Sequence, residues 1–395
     1  MIFGFLAIAI GLRSQYMFNV GIAKGFEDFR VTAIVAGIAT PINLAMVVLA
    51  WILDAEVEAL LAVFLISGVI FYAISQRLTS RLIQPATTQV QLPEDFQRRV
   101  KRHMRLVAIT VTIGFFAASE VEVFFLNAFG DAEGAGHFKV AYLLASGAVM
   151  LVPGVIGSLL LPMMANALSK GRDVAGRRFV ASTTYLTLLA APLVAFGAVY
   201  SEPIISFMYG SAYATAASVF AACMFACALS TVSQSGSSLL ISADKQLTIL
   251  FLVILCGVIK VTLDVVLIRN YGLTGATVAY VAAAMFGAVC NLVLALRLIG
   301  MQPDWLRLLR ILLAAAITAL AIYPLRGHWP ALPTLVIAGL VTVPVYALLT
   351  LLLRCWSRED IEHLMQLHRR IARGRPQALV RLLAWSGRIG NRELS

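Results

Sequence analysis

The chain opens on MIFGFLAIAIGLRSQYMFNVG, residues 1–21. Twelve almost purely apolar residues lead to an arginine, Arg13. A helix of twelve residues reaches only ~18 Å, well short of the ~30 Å hydrocarbon layer of a bilayer. The pattern is not that of a signal peptide, which carries basic residues ahead of its apolar run and a small-x-small site behind it. The stretch makes sense as one membrane helix from Met1 to about Gly21, with Arg13 inside it. The rest of the sequence has to account for that arginine.

Composition agrees with a membrane protein. The residues are 60% hydrophobic and 13% charged, and mean hydropathy is +0.88, whereas soluble domains carry about 25% charged residues. Apolar runs long enough to cross a bilayer predict eleven spans, near residues 1–21, 31–52, 55–76, 106–129, 138–165, 179–200, 214–241, 247–268, 274–297, 309–325 and 332–354. The expected fold class is therefore all-α, a polytopic bundle of membrane helices. The longest connection, Arg77 to Arg105, is too short for a soluble domain.

Charge sorts these connections by side. Of the 31 Lys and Arg residues, 26 fall beside the odd-numbered spans' exits or in the tail from Arg354 onward. The intervening connections carry Asp54, Glu56, Asp131, Glu133 and Glu202 instead. Positive-inside places the basic set and the C-terminus in the cytoplasm. The net charge of +11 then reads as a topology signal and an anchor to anionic lipid, and nucleic acid is not an expected partner. Parity puts Met1 on the far side of the membrane. The expectation is that the fold has an odd number of further spans upstream and that Met1 is an internal methionine.

Chemistry-bearing motifs are scarce. The five cysteines (Cys223, Cys227, Cys256, Cys290, Cys355) lie in or beside apolar runs without metal-type spacing, and read as buried thiols. No HExxH, paired-carboxylate loop or nucleotide-binding loop occurs. No catalytic residue, metal or cofactor is expected, and the chain does not read as an enzyme.

Five stretches resemble one family. GIAKGFEDFRVTAIV (21–35) is similar to the junction between the fourth and fifth spans of polysaccharide-biosynthesis flippases. VEVFFLNAFGDAEGAGHFKVAYLLA (121–145) resembles their seventh span and the entry to the eighth, with Glu122 where the family commonly has an aspartate. LLLPMMANALSKG (159–171) resembles the end of the eighth, MYGSAYATAASVF (208–220) the start of the tenth, and RNYGLTGATVAYVAAA (269–284) the start of the twelfth. The family is the oligosaccharide-lipid flippases of the multidrug/oligosaccharidyl-lipid/polysaccharide exporter superfamily.

The resemblance implies a two-lobe flippase architecture, two helical bundles in a V whose cavity opens alternately to each side. The eleven spans correspond to the fourth through fourteenth of fourteen, leaving the first lobe incomplete by three. The implied organisation is a partial N-terminal lobe (1–76), a cytoplasmic linker (77–105), a six-helix lobe (106–297), two extra spans (298–354) and a basic amphipathic tail (355–395). The implied function is movement of a polyprenyl-diphosphate-linked oligosaccharide across the bacterial inner membrane for surface polysaccharide synthesis. Its partners would be that substrate, membrane lipids and polysaccharide assembly proteins. The alternatives are a multidrug cation antiporter or a peptidoglycan-precursor lipid flippase of the same superfamily. A membrane glycosyltransferase or polymerase is a weaker one, since the outer connections are short for catalytic loops.

A charge at the bilayer centre costs ~2.5–3.5 kcal/mol on insertion scales, so the charges within spans are the leads. Arg13, with Tyr16 at i+3 on the same face, is expected to bind the anionic diphosphate, which a guanidinium grips in a bidentate way; the competing reading is a structural arginine paired to a neighbouring helix. Lys260, with Asp264 at i+4, is either a cation facing the substrate cavity or one half of an intrahelical ion pair. Glu120 and Glu122 are about 200° apart around a helix, so only one can face a given cavity. Glu122, Glu120 and Asp264 are the candidates for ion coupling, and Glu122 is favoured by its place in the family pattern. Lys139, at the start of the fifth span, reads as interfacial. Pro41, Pro153, Pro162 and Pro192 are expected to kink their spans. SREDIEHLMQLHRRIARG (357–374) reads as an amphipathic helix on the cytoplasmic leaflet, capped by Ser357, with Arg369, Arg370 and Arg373 near lipid phosphates.

Overall fold

The computed structural model describes residues 2–26, 28, 30–83, 93–151, 155–157, 159–327 and 330–356. Among the described residues every regular element is a helix. The chain divides into two compact units, Met1–Pro93 and Glu94–Ser395. That division falls inside the linker expected at 77–105.

The first unit holds α1 (Ile2–Gly25), α2 (Arg30–Ile52) and α3 (Val57–Thr79). The apolar sequence gives these helices nothing to expose but hydrocarbon, so small residues make the contacts. Ala23, Val31, Val35 and Ala39 are buried together, with Tyr16, Phe71 and Ile74 packed against them. A polar clasp joins α1 to α3: Asn19 donates its Nδ2 to Ser75 Oγ at 3.1 Å, and Thr79 Oγ1 donates to the Asn19 carbonyl at 3.3 Å. Trp51, 76% exposed, and its apolar neighbours face outward, as side chains do where the solvent is lipid.

The second unit holds α4 (Glu94–Gly114), α5 (Glu120–Ala128), α6 (Ala132–Val149), the single turn α7 (Val155–Gly157), α8 (Leu160–Ser169), α9 (Arg172–Val199), α10 (Ser201–Tyr209), α11 (Ala216–Ser242), α12 (Gln246–Ile299), α13 (Trp305–Ile322) and α14 (Ala331–Leu352). Its core is built around α11, whose Ala216, Ala217, Phe220, Cys223 and Met224 pack with Leu126 of α5, Phe138 and Ala141 of α6, and Ala276 of α12. The buried thiols Cys223, Cys227 and Cys355 are free, and Cys256 and Cys290 are half-buried and free.

Four of the expected spans are laid out differently from separate continuous helices. The span expected at 106–129 is broken: α4 ends at Gly114, a 3-10 turn covers Phe115–Ala117, and α5 restarts at Glu120. The span expected at 138–165 is shared among α6, α7 and α8. Pro162 sits in the first turn of α8, where the N–H it lacks would have no partner, so it starts a helix and does not kink one. Pro41 and Pro192 do lie inside helices, α2 and α9. The spans expected at 247–268 and 274–297 are the two halves of α12, joined at Gly272 with φ 51° and ψ −130°. The halves run antiparallel, for a Cβ at Gly287 would stand 3.5 Å from the Cys256 thiol, and one at Gly275 only 2.1 Å from the Leu267 carbonyl oxygen. Glycine is required at both bends of this reversal: Gly272 for its positive φ, Gly275 for the close backbone approach.

Seven helices among the described residues are long and apolar enough to cross a membrane, and α12 supplies two of the expected spans. Outside that set lie 1–21, 106–129 and 138–165, the spans bearing Arg13, Glu120 with Glu122, and Lys139. Pro153 and the tail helix expected at 357–374 lie outside the described residues.

Candidate functional site

The break between α4 and α5 is where the second unit's charges meet. Ala118 and Ser119 fall between the 3-10 turn and α5, and the Ala118 carbonyl is met by the Val121 N–H only at 3.3 Å. Its remaining capacity is taken by Lys260, which reaches across from α12 and donates at 3.2 Å. The same ammonium lies 2.7 Å from Glu122 Oε2 and 3.1 Å from Asp264 Oδ2. Three oxygens from two helices and the connector thus surround the three N–H donors of one lysine. The Lys260 side chain is 2% exposed and both carboxylates are 0% exposed.

Burial at this level removes water as a partner, so each charge depends on the others. The intrahelical Lys260–Asp264 pair exists, and it is half of the arrangement. The other half, Glu122, comes from α5. Three oxygens of the cluster, Glu122 Oε1, Glu122 Oε2 and Asp264 Oδ1, meet no hydrogen-bond donor among the described residues, and Oε2 is held to Lys260 by charge alone.

Beside the cluster, a cavity of about 250 Å³ separates α11 from the two halves of α12. Its polar lining comes from Ser230, Ser233, Cys256, Lys260, Tyr280 and Asn291. Tyr280 packs edge-on against Tyr142 and Phe138 of α6 and meets the Cys227 thiol at 3.6 Å.

Glu120 has a separate environment. It faces Lys139 of α6, 2.9 Å away, with both side chains partly exposed. Lys139 also lies over the Tyr142 ring, 6.0 Å from its centre. The two glutamates diverge as their 200° separation around α5 requires, one into the interior and one to the surface.

Arg13 and Tyr16 belong to the first unit. Tyr16 is half-buried and packs edge-on against Phe71 of α3, ring centres 5.2 Å apart. Arg13 is exposed on α1, and no ion pair to it occurs among the described residues. The structure therefore gathers Glu122, Lys260 and Asp264 at one point, sets Glu120 apart with Lys139, and leaves Arg13 open.

Sequence reasoning missed the Ala118 carbonyl, Tyr280 and Asn291. A tyrosine and an asparagine standing in apolar runs were the available signal for the last two. Within FFAASE neither proline nor glycine announces a helix break, and Gly114, the last residue of α4, is the one local signal beside it.

Residues 1–218 match the polysaccharide biosynthesis protein family. No curated protein sequence matches the chain. Among solved structures, the lipid II flippase MurJ in an inward closed conformation is similar, with a TM-score of 0.66 and 16% identity, over 88% of this chain and 73% of that chain. The likeness shows a flippase-type fold.

Proposed function

Because the chain belongs to the polysaccharide biosynthesis protein family, we propose that this multi-pass membrane protein is a flippase for a polyprenyl-diphosphate-linked oligosaccharide. It works by alternating access in the bacterial inner membrane, with its C-terminus in the cytoplasm, and supplies surface polysaccharide assembly. The observation that carries the reading is Arg13. An exposed guanidinium in an apolar helix, without an ion-pair partner among the described residues, calls for an anion from outside the protein, and a diphosphate answers it with paired oxygens. Tyr16, one turn along, supports it by packing on Phe71. No bond in the substrate is made or broken, so no catalytic group is assigned.

Lys260 was a candidate for the same anion. Its ammonium donates to the Ala118 carbonyl and to Asp264 and is paired by charge with Glu122, and the surrounding charge is negative, so we group it with Glu122 and Asp264 in ion coupling. Glu120 is the reserve candidate for that role.

A second reading, transport of a peptidoglycan-precursor lipid, is favoured by the fold likeness to the lipid II flippase MurJ. An organic-cation load fits less well with an open arginine. The test is reconstitution in liposomes with fluorescent lipid-linked substrates in one leaflet. The oligosaccharide diphosphate lipid should cross and lipid II should not; crossing of lipid II alone would select the second reading. Crossing of neither would remove both.

A further inference from the structure

The cluster formed by Glu122, Lys260 and Asp264 does not balance its own charge. Two carboxylates face one ammonium, and all three side chains are at most 2% exposed. The polar neighbours are uncharged at neutral pH: Cys223 of α11 stands near Glu122, Cys256 and Tyr280 of α12 share the cavity wall with Lys260, and Cys227 of α11 and Tyr142 of α6 belong to the adjoining core. The other ionised pair on α5 and α6, Glu120 with Lys139, is self-balanced and lies toward the surface. One negative charge is left over on carboxylates that are 0% exposed, a state that proteins avoid by neutralising a group.

We propose that this cluster is a binding site for one proton, reached through the cavity beside Lys260. The proposal rests on the reading of these residues as the coupling group of a flippase, and says which ion they take. A proton needs a single free lone pair, and Glu122 Oε1 and Asp264 Oδ1 each offer one with no donor against it. Added to either oxygen, it leaves one carboxylate, one carboxylic acid and one ammonium, with the charge closed. A metal cation needs several ligand oxygens converging on empty space. Here the ammonium already fills that space, at 2.7 and 3.1 Å from the carboxylates, and would repel a second cation. Among the described residues, no group of three or more His, Cys, Asp and Glu side chains could hold a metal ion.

The route is also on hand. Lys260 and the Tyr280 hydroxyl share the cavity wall with Ser230, Ser233 and Asn291. At about 250 Å³ the cavity has room for several waters and enough polar partners to hold them. A proton entering there is taken up by relay: the Lys260 ammonium, the one member of the cluster that lines the cavity, passes one of its protons to the adjoining carboxylate of Glu122 or Asp264, 2.7 and 3.1 Å away, and the amine left behind takes the incoming one.

Infrared spectroscopy of the purified chain in lipid nanodiscs tests this without reading transport, so its outcome is separate from that of the flippase reading. A protonated carboxylic acid has a carbonyl stretch resolved from those of carboxylate and amide. At neutral pH the wild type should show that band, equally in choline and sodium chloride. Glu122→Gln and Asp264→Asn, measured separately in case one fails to assemble, should each lose it, because a neutral amide leaves a balanced ammonium–carboxylate pair. A wild type without the band overturns the proposal. So does a band that vanishes when sodium replaces choline, which would make the ion a metal cation, or one that survives in an assembled Glu122→Gln or Asp264→Asn protein.

Discussion

Arg13 and Lys260 each interrupt an apolar helix, and they are treated in opposite ways. Lys260 on α12 is sealed from solvent and held by Glu122, Asp264 and the Ala118 carbonyl. Arg13 on α1 is exposed and has no ion pair among the described residues. Both pay the same entry cost into a membrane helix, so the difference lies in what each receives in return. Lys260 is part of how its unit holds together. Arg13 makes no ion pair among the described residues, and in the function proposed above its counter-ion is the substrate's diphosphate. A buried charge fully met by protein is the weaker pointer to substrate, and an open one is the stronger.

The sharpest way to break this contrast is to remove the lysine. Lys260→Ala leaves the carboxyl groups of Glu122 and Asp264 buried together without a counter-charge, and loss of one partner from a buried ion pair typically costs about 3–5 kcal/mol. The protein should fall in abundance in membranes and melt at lower temperature in detergent. Adding Glu122→Gln to Lys260→Ala should recover much of that loss, since it removes the repulsion. A Lys260→Ala protein as stable as wild type would mean that the cluster is not what holds α5 to α12.

Arg13→Ala should do the reverse. Exposed substitutions away from special features usually change stability by no more than ~0.5 kcal/mol, so melting and membrane level should stay at wild-type values. Transport should suffer, because hydrogen bonds to charged groups contribute about 1.5–3 kcal/mol, which corresponds to roughly 10- to 150-fold in apparent affinity for the lipid-linked substrate. Substrate titration in proteoliposomes measures it. If Arg13→Ala destabilises the chain as Lys260→Ala does, the two cations are alike and the arginine is structural.

What the sequence made legible follows the same line. The spans were readable because hydropathy is a local property, and so was the Lys260–Asp264 pair, because four residues make one helical turn. The partnership of Lys260 with Glu122 was not readable, since no local spacing relates α5 to α12. The break at Ala118–Ser119 was hidden for another reason: FFAASE is apolar enough to continue a helix, and tertiary contact with Lys260 competes for the carbonyl there. Arg13 was identifiable as an intruding charge, but whether it was paired could be seen only once its neighbours were placed.

The reversal inside α12 offers a smaller effect. It brings the Lys260 half and the Tyr280 half to one cavity, and it depends on Gly275, where a Cβ would lie 2.1 Å from the Leu267 carbonyl oxygen. Backbone cannot yield as a side-chain end can. Gly275→Ala should therefore cost roughly 1–3 kcal/mol, the range for overpacking, and lower the melting temperature. Gly37→Ala in α2 is the control, for a Cβ there meets nothing within 4 Å. Equal melting of the two variants would show that the reversal tolerates a looser turn.

A small effect on stability belongs to Glu120 as well, and it separates the two glutamates of α5. Glu120 and Lys139 are 2.9 Å apart, with 49% and 35% of their side chains exposed. A pair so open contributes only about 0.2–1 kcal/mol, so Glu120→Gln should shift melting slightly. Its transport should keep whatever dependence on an imposed ion gradient the wild type has, because its charge is balanced by a neighbour at the surface and not by the buried cluster. Glu122→Gln should still take up lipid-linked substrate but lose that dependence, since the amide removes the excess charge that an ion would neutralise. Flipping in proteoliposomes, with and without the gradient, compares them directly. If Glu120→Gln loses the dependence and Glu122→Gln keeps it, the coupling residue is the exposed glutamate beside Lys139, and the buried cluster serves only to hold α5 against α12.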